Sequence, residues 1–192
     1  MTDADARTLL LQIARDAVIA HVNHRGGPER PAPHAGIPGD LALRRGGAFV
    51  TIHHRGDLRG CIGHIEADRL LVRVVAECAA SACSVDPRFP PIAADELADI
   101  DIELSLLGPL ESILGPDDIE IGRHGLLVAR DGRRGLLLPQ VATEWKWDAL
   151  TFLAQTCHKA GLPTDAWKRG ADVWRFEAEV FGEDFTVPAS VR

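Results

Sequence analysis

The stretch that decides the fold reads AFVTIHHRGDLRGCI and covers residues 48–62. The first part, Ala48 to His54, is rich in β-branched and aromatic residues. A polar turn that contains a glycine follows at Arg55 to Asp57, and apolar residues return between Leu58 and Ile62. Two such runs around a short glycine-containing turn are typical of a β-hairpin. The sequence therefore predicts two antiparallel strands joined by a three-residue connection.

Helical patterns lie around this hairpin. Apolar residues recur at helical spacing from Leu10 to His21, from Leu71 to Ala82 and from Leu150 to Cys157. We expect Asp68 to cap the second helix and Gly161 to end the third, since these residue types favour helix ends. The segment from residue 25 to 39 is rich in glycine and proline, which predicts a loop.

Further strands complete the pattern. Residues 100–106 alternate, which predicts that Ile100, Ile102, Leu104 and Leu106 face the core and that Asp101, Glu103 and Ser105 face outward. Residues 126–129 and 135–138 flank an Asp-Gly turn, and residues 174–180 form a late strand. The order lacks regular βαβ alternation. It predicts an α+β fold with a mixed, mainly antiparallel sheet packed against helices.

Composition limits the class of protein. The chain has 192 residues, 46% of them hydrophobic, which predicts one domain over residues 1–192, with a main body and a smaller lobe as the alternative arrangement. The net charge is -7 and no basic stripe is visible, so we expect no nucleic-acid partner. We also expect no membrane span and no secretory signal. The four cysteines form no CxxC pair, which favours free thiols in the cytoplasm.

Cys61 is the most unusual residue in its context. It lies between Gly60 and Gly63, and glycines allow close approach of a ligand to the backbone. The neighbouring Arg59 would favour the thiolate, the form that acts as a nucleophile. The candidate bases are His54, His64 and His124. The alternative interpretation is a small packed cysteine with glycines that serve packing.

A metal site is a further alternative. His53 or His54, with His64 and Cys61, would form a mixed nitrogen and sulfur site if they met across the hairpin. Adjacent strand residues point to opposite faces, so only one of the two adjacent histidines can contribute. Because no spacing typical of metal ligands supports this set, we predict no metal.

The second unusual segment reads DPRFPP and covers residues 86–91. Prolines stiffen it, so Asp86 and Arg88 are held in place. Arg88 suits bidentate binding of a carboxylate or phosphate, and the alternative is an Asp–Arg pair that pins the loop onto the hairpin.

Three residues of the later chain are further candidates. His124 lies between glycines and is a candidate catalytic residue, and Gln140 is a candidate ligand donor. Lys159, near a helix C-terminus, is most simply explained by the helix dipole.

Several segments together resemble the AMMECR family, named after the AMME syndrome chromosomal region. The matching segments are residues 58–63 (LRGCIG), 86–91 (DPRFPP), 96–97, 105–107, 122–126, 137–141 and 159–162. The resemblance runs from about residue 41 to 182 and is nearest to the prokaryotic branch called AmmeMemoRadiSam system protein A.

The resemblance implies an α+β fold with a main and a smaller domain, a cytoplasmic location and a functional link to a Memo-type protein and a radical-SAM protein. The family positions that carry over are Arg59, Gly60, Cys61, Gly63, Asp86, Arg88, Phe89, His124, Pro139 and Lys159. His64 departs from the Thr that is common at this position in eukaryotic members. No reaction or cofactor follows from the resemblance, so both stay open.

Three functions therefore compete. The first is a protein that binds or modifies a small anionic molecule, with Cys61 as nucleophile, Arg59 and Arg88 as anion donors and His124 or His64 as base. The second is a non-catalytic partner of the Memo-type and radical-SAM proteins. The third is a metal-binding protein. In all three, the expected ligand-binding set also includes Gly60, Gly63, Asp86, Phe89, Gln140 and Lys159.

Overall fold

A computed structural model describes residues 2–23 and 37–183 of the chain. The chain divides into two compact units, the first formed by residues 1–107 and 179–192 and the second by residues 108–178. Most of the loop predicted over residues 25–39 lies outside the described residues. The early hairpin belongs to the first unit.

The first unit combines helices with an antiparallel sheet. In chain order its elements are α1 (Ala4–Asn23), α2 (Gly39–Leu43), β1 (Ala48–His54), β2 (Asp57–His64), α3 (Leu71–Ala82) and β3 (Ile100–Leu107). The strand order is β2-β1-β3, with β2 at the edge and both pairings antiparallel. The first strand and the third were predicted within a residue.

One face of this sheet packs against α1 and α3. The residues of the predicted helical stripes are buried there, except His21, which is exposed. Asp3 caps α1, because its Oδ1 accepts a hydrogen bond from the N–H of Ala6 at 2.7 Å. The predicted cap at Asp68 is wrong. Leu70 occupies that position without a side-chain cap, and Asp68 accepts a hydrogen bond from Nε2 of His64 at 2.6 Å.

The hairpin connection is one residue shorter than predicted. His54 pairs with Asp57, and the two connecting residues, Arg55 and Gly56, have φ values of 53° and 89°. Two successive left-handed residues are typical of a type I′ turn, whose twist matches that of paired strands. The hairpin also carries a bulge: Ile52 pairs with Gly60 and His53 with Leu58, so the residue between them has no partner on β1.

The alternation predicted for β3 holds on its inner face, where Ile100, Ile102 and Leu104 are buried. Ser105 lies on the predicted outward side of β3, together with Asp101 and Glu103, but it is buried there, only 1% exposed. It pairs with Phe49 of β1, and Leu107 on the same side of β3 is also buried. Both faces of β3 are therefore buried at this end of the strand. The alternation of polar and apolar residues does not predict this, because it depends on tertiary packing.

The second unit contains a separate set of elements. In chain order these are β4 (Glu111–Ser112), β5 (His124–Arg130), β6 (Arg133–Leu137), α4 (Pro139–Glu144), α5 (Ala149–Lys159) and β7 (Asp172–Gly182), the last belonging to this unit up to Ala178. β5 pairs with β6 and β7, and β4 pairs with β7, all antiparallel. The Asp131-Gly132 turn predicted between β5 and β6 is present, with left-handed φ values at both residues.

The helix α5 covers the core of this unit. Asp148 caps it through a 2.7 Å bond from the N–H of Thr151, and Gly161, with a φ of 69°, follows its end as predicted. Phe152, Leu153 and Cys157 are buried, whereas Leu150, predicted as part of the stripe, is exposed. The helix α4, which has Pro139 in its first turn, is an element that the sequence patterns do not predict.

Candidate functional site

Cys61 lies on the edge strand β2, directly opposite Thr51 of β1. The Thr51 hydroxyl donates a hydrogen bond to the Cys61 Sγ at 3.4 Å, so both side chains occupy the sheet face away from the buried Val50 and Ile52. Cys61 is partly exposed. The other three cysteines, Cys78, Cys83 and Cys157, are buried.

Burial changes the chemistry of those three thiols. It raises the pKa of Cys78 and of Cys83 to about 11, and it raises the pKa of Cys157 as well. A thiol must lose its proton to act as a nucleophile or a metal ligand. Cys61 is therefore the cysteine best placed for chemistry.

The two glycines beside Cys61 serve packing. A Cβ on Gly60 would lie 2.2 Å from the carbonyl oxygen of Ala82, at the end of α3, and a Cβ on Gly63 would lie 2.3 Å from the Phe49 ring. Protein atoms therefore fill the space that each glycine leaves. This geometry favours a structural role for both glycines over direct contact with a ligand.

Asp86 joins the second motif to the first. Its side chain is only 2% exposed, and Oδ2 accepts a hydrogen bond from the backbone N–H of Cys61 at 2.9 Å. Oδ1 accepts from the N–H and Nε of Arg88 at 3.1 and 2.9 Å, and Arg88 Nη2 donates to Oδ2 at 2.7 Å. The Arg88 guanidinium, with the two backbone N–H groups, holds the pKa of Asp86 well below its usual range. The carboxylate thus covers an edge-strand N–H and fixes the loop on β2.

Arg88 is the arginine beside the thiol. Asp86 raises the pKa of Arg88 most, and the Cys61 thiol acts in the same direction. The Arg88 side chain is 52% exposed, and its guanidinium lies 5.4 Å from the centre of the Phe89 ring. Its Nε and Nη2 bind Asp86, while its Nη1 makes no hydrogen bond to the described residues. Arg88 therefore keeps a donor for a further acceptor.

Arg59 is committed elsewhere. It is the bulge residue of β2, and its side chain is only 14% exposed. Its Nε and Nη2 donate to Glu96 at 2.8 and 3.0 Å, and its Nη1 donates to the carbonyl oxygen of Pro90 at 2.7 Å. Glu96 also accepts from the N–H of Ala93. This geometry favours a structural link to the loop end over anion binding by Arg59.

The histidines of the hairpin divide between the two faces. His64 is three residues from Cys61, so alternation places it on the opposite face, where it pairs with Asp68. His54 likewise lies on the face of β1 that Thr51 does not share. It contributes to the lowered pKa of Glu96, which the hydrogen bond from Arg59 lowers most. His53, two residues from Thr51, shares the face of Cys61 as its diagonal neighbour, at roughly 7–8 Å in such a ladder. It is a candidate base that sequence reasoning considered only as a metal ligand.

Acidic residues extend this face across β3. Glu103 lies opposite Thr51, and Asp101 lies opposite His53. The face thus carries a thiol, a hydroxyl, an imidazole and two carboxylates. The register of β1 and β2 is what places His53 on this face. That register depends on the two-residue turn and the bulge, and the sequence predicted neither.

The remaining predicted site residues belong to the second unit. His124 begins β5 and is 7% exposed, and its Nδ1 accepts a hydrogen bond from the N–H of Glu120 at 2.9 Å. Burial, and then Arg175 and Arg123, lower the pKa of His124. Gln140 is partly buried on α4, and Lys159 is exposed in the last turn of α5, a position that suits the helix dipole.

Within residues 2–23 and 37–183, no group of three or more His, Cys, Asp or Glu side chains is arranged to hold a metal ion. The candidate set of Cys61, His64 and one of His53 and His54 does not form such a group, because Cys61 and His64 point to opposite faces of β2. No helix in the described part of the chain is long and apolar enough to cross a membrane.

Comparison with known proteins places this geometry in a family. The AMMECR1 family model matches residues 11–181. A protein of Methanothermobacter thermautotrophicus is 46% identical over 187 residues, covering 94% of this chain and 95% of the relative. Protein Mbar_A1807 of Methanosarcina barkeri is 40% identical over 188 residues, covering 95% of this chain and 92% of the relative.

A solved structure has the same fold. The crystal structure of the uncharacterized protein PH0010 from Pyrococcus horikoshii matches with a TM-score of 0.86 and 36% identity, covering 95% of this chain and 94% of that one. The predicted α+β class is thereby confirmed. From the motifs, the fold and these relatives it follows that the chain belongs to the AMMECR1 family.

Proposed function

We propose that this protein binds a small anionic molecule on the Cys61 face of the hairpin and uses the Cys61 thiol as a nucleophile. The observation that carries the proposal is the position of this thiol. It is partly exposed, receives the Thr51 hydrogen bond and lies beside the Arg88 guanidinium. A cationic neighbour and access to solvent are the conditions under which a protein thiol reacts.

The surrounding residues have distinct roles in this proposal. Arg88 offers its outer nitrogen to the anion beside the thiol, while Asp86 keeps the guanidinium in place. His53 is the candidate acceptor of the thiol proton, because it lies on the same face. Arg59 and Glu96 hold the loop that carries Arg88.

Competitive alkylation tests the proposal. The protein is treated with substoichiometric iodoacetamide near neutral pH, and the modified peptides are quantified by mass spectrometry. We expect Cys61 to react about tenfold faster or more than Cys78, Cys83 and Cys157, since burial disfavours the thiolate at those sites. Cys83→Ser is the matched control and should leave the rate at Cys61 unchanged. Equal labelling of all four, or no labelling of Cys61, would contradict the proposal.

A second function is favoured by a different observation. Asp86 already neutralises Arg88, and Glu96 neutralises Arg59, which weakens the positive field available to an anion. This supports a non-catalytic role in which the exposed Arg88 and its loop contact another protein. The candidate partners are the Memo-type and radical-SAM proteins that the family resemblance implies.

A pull-down distinguishes the two functions. Purified Memo-type and radical-SAM proteins from the same genome are offered to the wild-type chain and to two variants. The adaptor role predicts that binding is lost on Arg88→Ala and kept on Cys61→Ser. If neither protein is retained by the wild-type chain while Cys61 reacts selectively, the nucleophile proposal stands alone.

A further inference from the structure

The second unit contains its own pocket, which is lined by residues 108–109, 111, 117–120, 123–124 and 175–177. Its volume is about 570 Å³, which suits a small molecule. Pro109, Ile119 and Phe176 give it apolar surface. None of the hairpin residues of the Cys61 face lines it, so a ligand here is independent of the function proposed above.

The lining of this pocket has an excess of negative charge. Five carboxylates and two guanidiniums line it. Arg175 pairs with Glu111 at 2.9 Å, and Arg123 is shared between Glu120 and Glu177 at 3.0 and 2.8 Å. The remaining negative charge favours a cation over an anion.

Asp117 adds an available carboxylate to this lining. It is exposed and forms no ion pair or hydrogen bond with the described residues, unlike the neighbouring Asp118, which accepts from the N–H of Leu114. Asp117 can therefore receive a ligand cation without breaking an existing contact.

His124 gives the pocket a directed donor. Because Nδ1 accepts the hydrogen bond from Glu120 N–H, the neutral ring carries its proton on Nε2. Burial lowers the pKa of His124, which keeps the ring neutral near pH 7. Its Nε2 has no partner among the described residues, although the side chain is more than nine-tenths buried. His124 lines the pocket, so this N–H is available to donate a hydrogen bond to an oxygen atom of a ligand there.

The same tautomer excludes one class of ligand. A metal ion would need the Nε2 lone pair, and that position carries the proton. We propose that this pocket binds a small molecule in which a protonated amine lies close to a neutral carbonyl or hydroxyl oxygen. The amine meets the carboxylates around Asp117, and the oxygen accepts from His124 Nε2–H.

Matched probes test this inference on the full chain. L-alaninamide carries both groups, propylamine has only the amine, and propionamide has only the oxygen. Each is titrated against ¹⁵N-labelled protein, with the imidazole nitrogens of His124 and the backbone amides of the pocket as signals. We expect L-alaninamide to shift these signals in the millimolar range and each truncated probe to bind about tenfold more weakly.

Two variants sharpen the test. Asp117→Asn, at an exposed position, should weaken L-alaninamide binding severalfold, whereas Glu144→Gln removes an exposed charge of the same unit outside the pocket and should have no effect. Equal binding of propionamide and L-alaninamide would overturn the inference, as would preferential binding of inorganic phosphate. Absence of any shift with L-alaninamide would also overturn it.

Discussion

The carboxylate of Asp86 accepts a hydrogen bond from the backbone N–H of Cys61 at 2.9 Å. This buried carboxylate links the two most distinctive motifs of the chain. The same carboxylate is held by Arg88. The strand that carries Cys61 and the proline-rich loop are therefore fixed to each other. A change at Asp86 acts on both.

Asp86→Asn should destabilise the protein by about 2–3 kcal/mol. An amide keeps the size of the side chain but leaves the Arg88 guanidinium without its charged partner and loses part of the bidentate bond. Urea unfolding followed by circular dichroism measures the loss. Asp95→Asn is the control, since Asp95 is an exposed carboxylate near the end of the same loop, and it should change the unfolding free energy by less than about 0.5 kcal/mol.

The pH dependence of stability should also trace to Asp86. The folded pKa of this carboxyl is depressed, so its contribution is present above the unfolded pKa of about 3.9 and is lost as pH falls below it. We expect the unfolding free energy of the wild-type protein to decline as the pH falls below about 4. The decline should be shallower in Asp86→Asn. Parallel curves for the two proteins would assign the acid sensitivity to other carboxylates, such as Glu96 or Glu179.

Gly60→Ala should cost about 2 kcal/mol or more, because the added methyl would overlap the backbone carbonyl of Ala82 and α3 would have to move. Gly39→Ala is the matched control, since its Cβ would meet no atom within 4 Å. Thermal unfolding of the two variants compares the costs. A similar melting temperature for both would mean that the end of α3 yields freely at Gly60.

His53→Ala should slow alkylation of Cys61 by roughly a factor of ten if His53 accepts the thiol proton. His54→Ala is the matched control on the opposite face and should leave the rate close to that of the wild type. The measurement is the iodoacetamide rate constant at Cys61 near neutral pH. Equal rates in the two variants would remove His53 from the proposed site, and a larger effect of His54→Ala would reverse the assignment of faces.

The sequence by itself determined the elements that depend on local periodicity. The stripe on α3 and the alternation of Ile100, Ile102 and Leu104 follow from the 3.6- and 2-residue periods, which apply wherever one face is buried. The Asp-Gly turn and the glycine after α5 follow from the φ values that those positions require. The motif residues around Cys61 and Asp86 were likewise visible as a pair of unusual segments.

Only the tertiary structure decided what those motif residues contact. Arg59 and Arg88 look equivalent in sequence, yet one is satisfied by Glu96 and Pro90 while the other keeps a donor beside Cys61. The reason is that the partners of Arg59, Pro90 and Glu96, lie 31 and 37 residues further along the chain, in a segment whose docking no local pattern encodes.

The choice between His53 and His54 is also tertiary. A two-residue turn and a single bulge set the register of β2 on β1, and a shift of one residue moves every side chain to the other face. The pocket around His124 depends in the same way on β7, whose residues 175–177 lie some fifty positions further along the chain. Local periodicity determined the strands and helices of this protein, and long-range packing determined which polar groups meet on them.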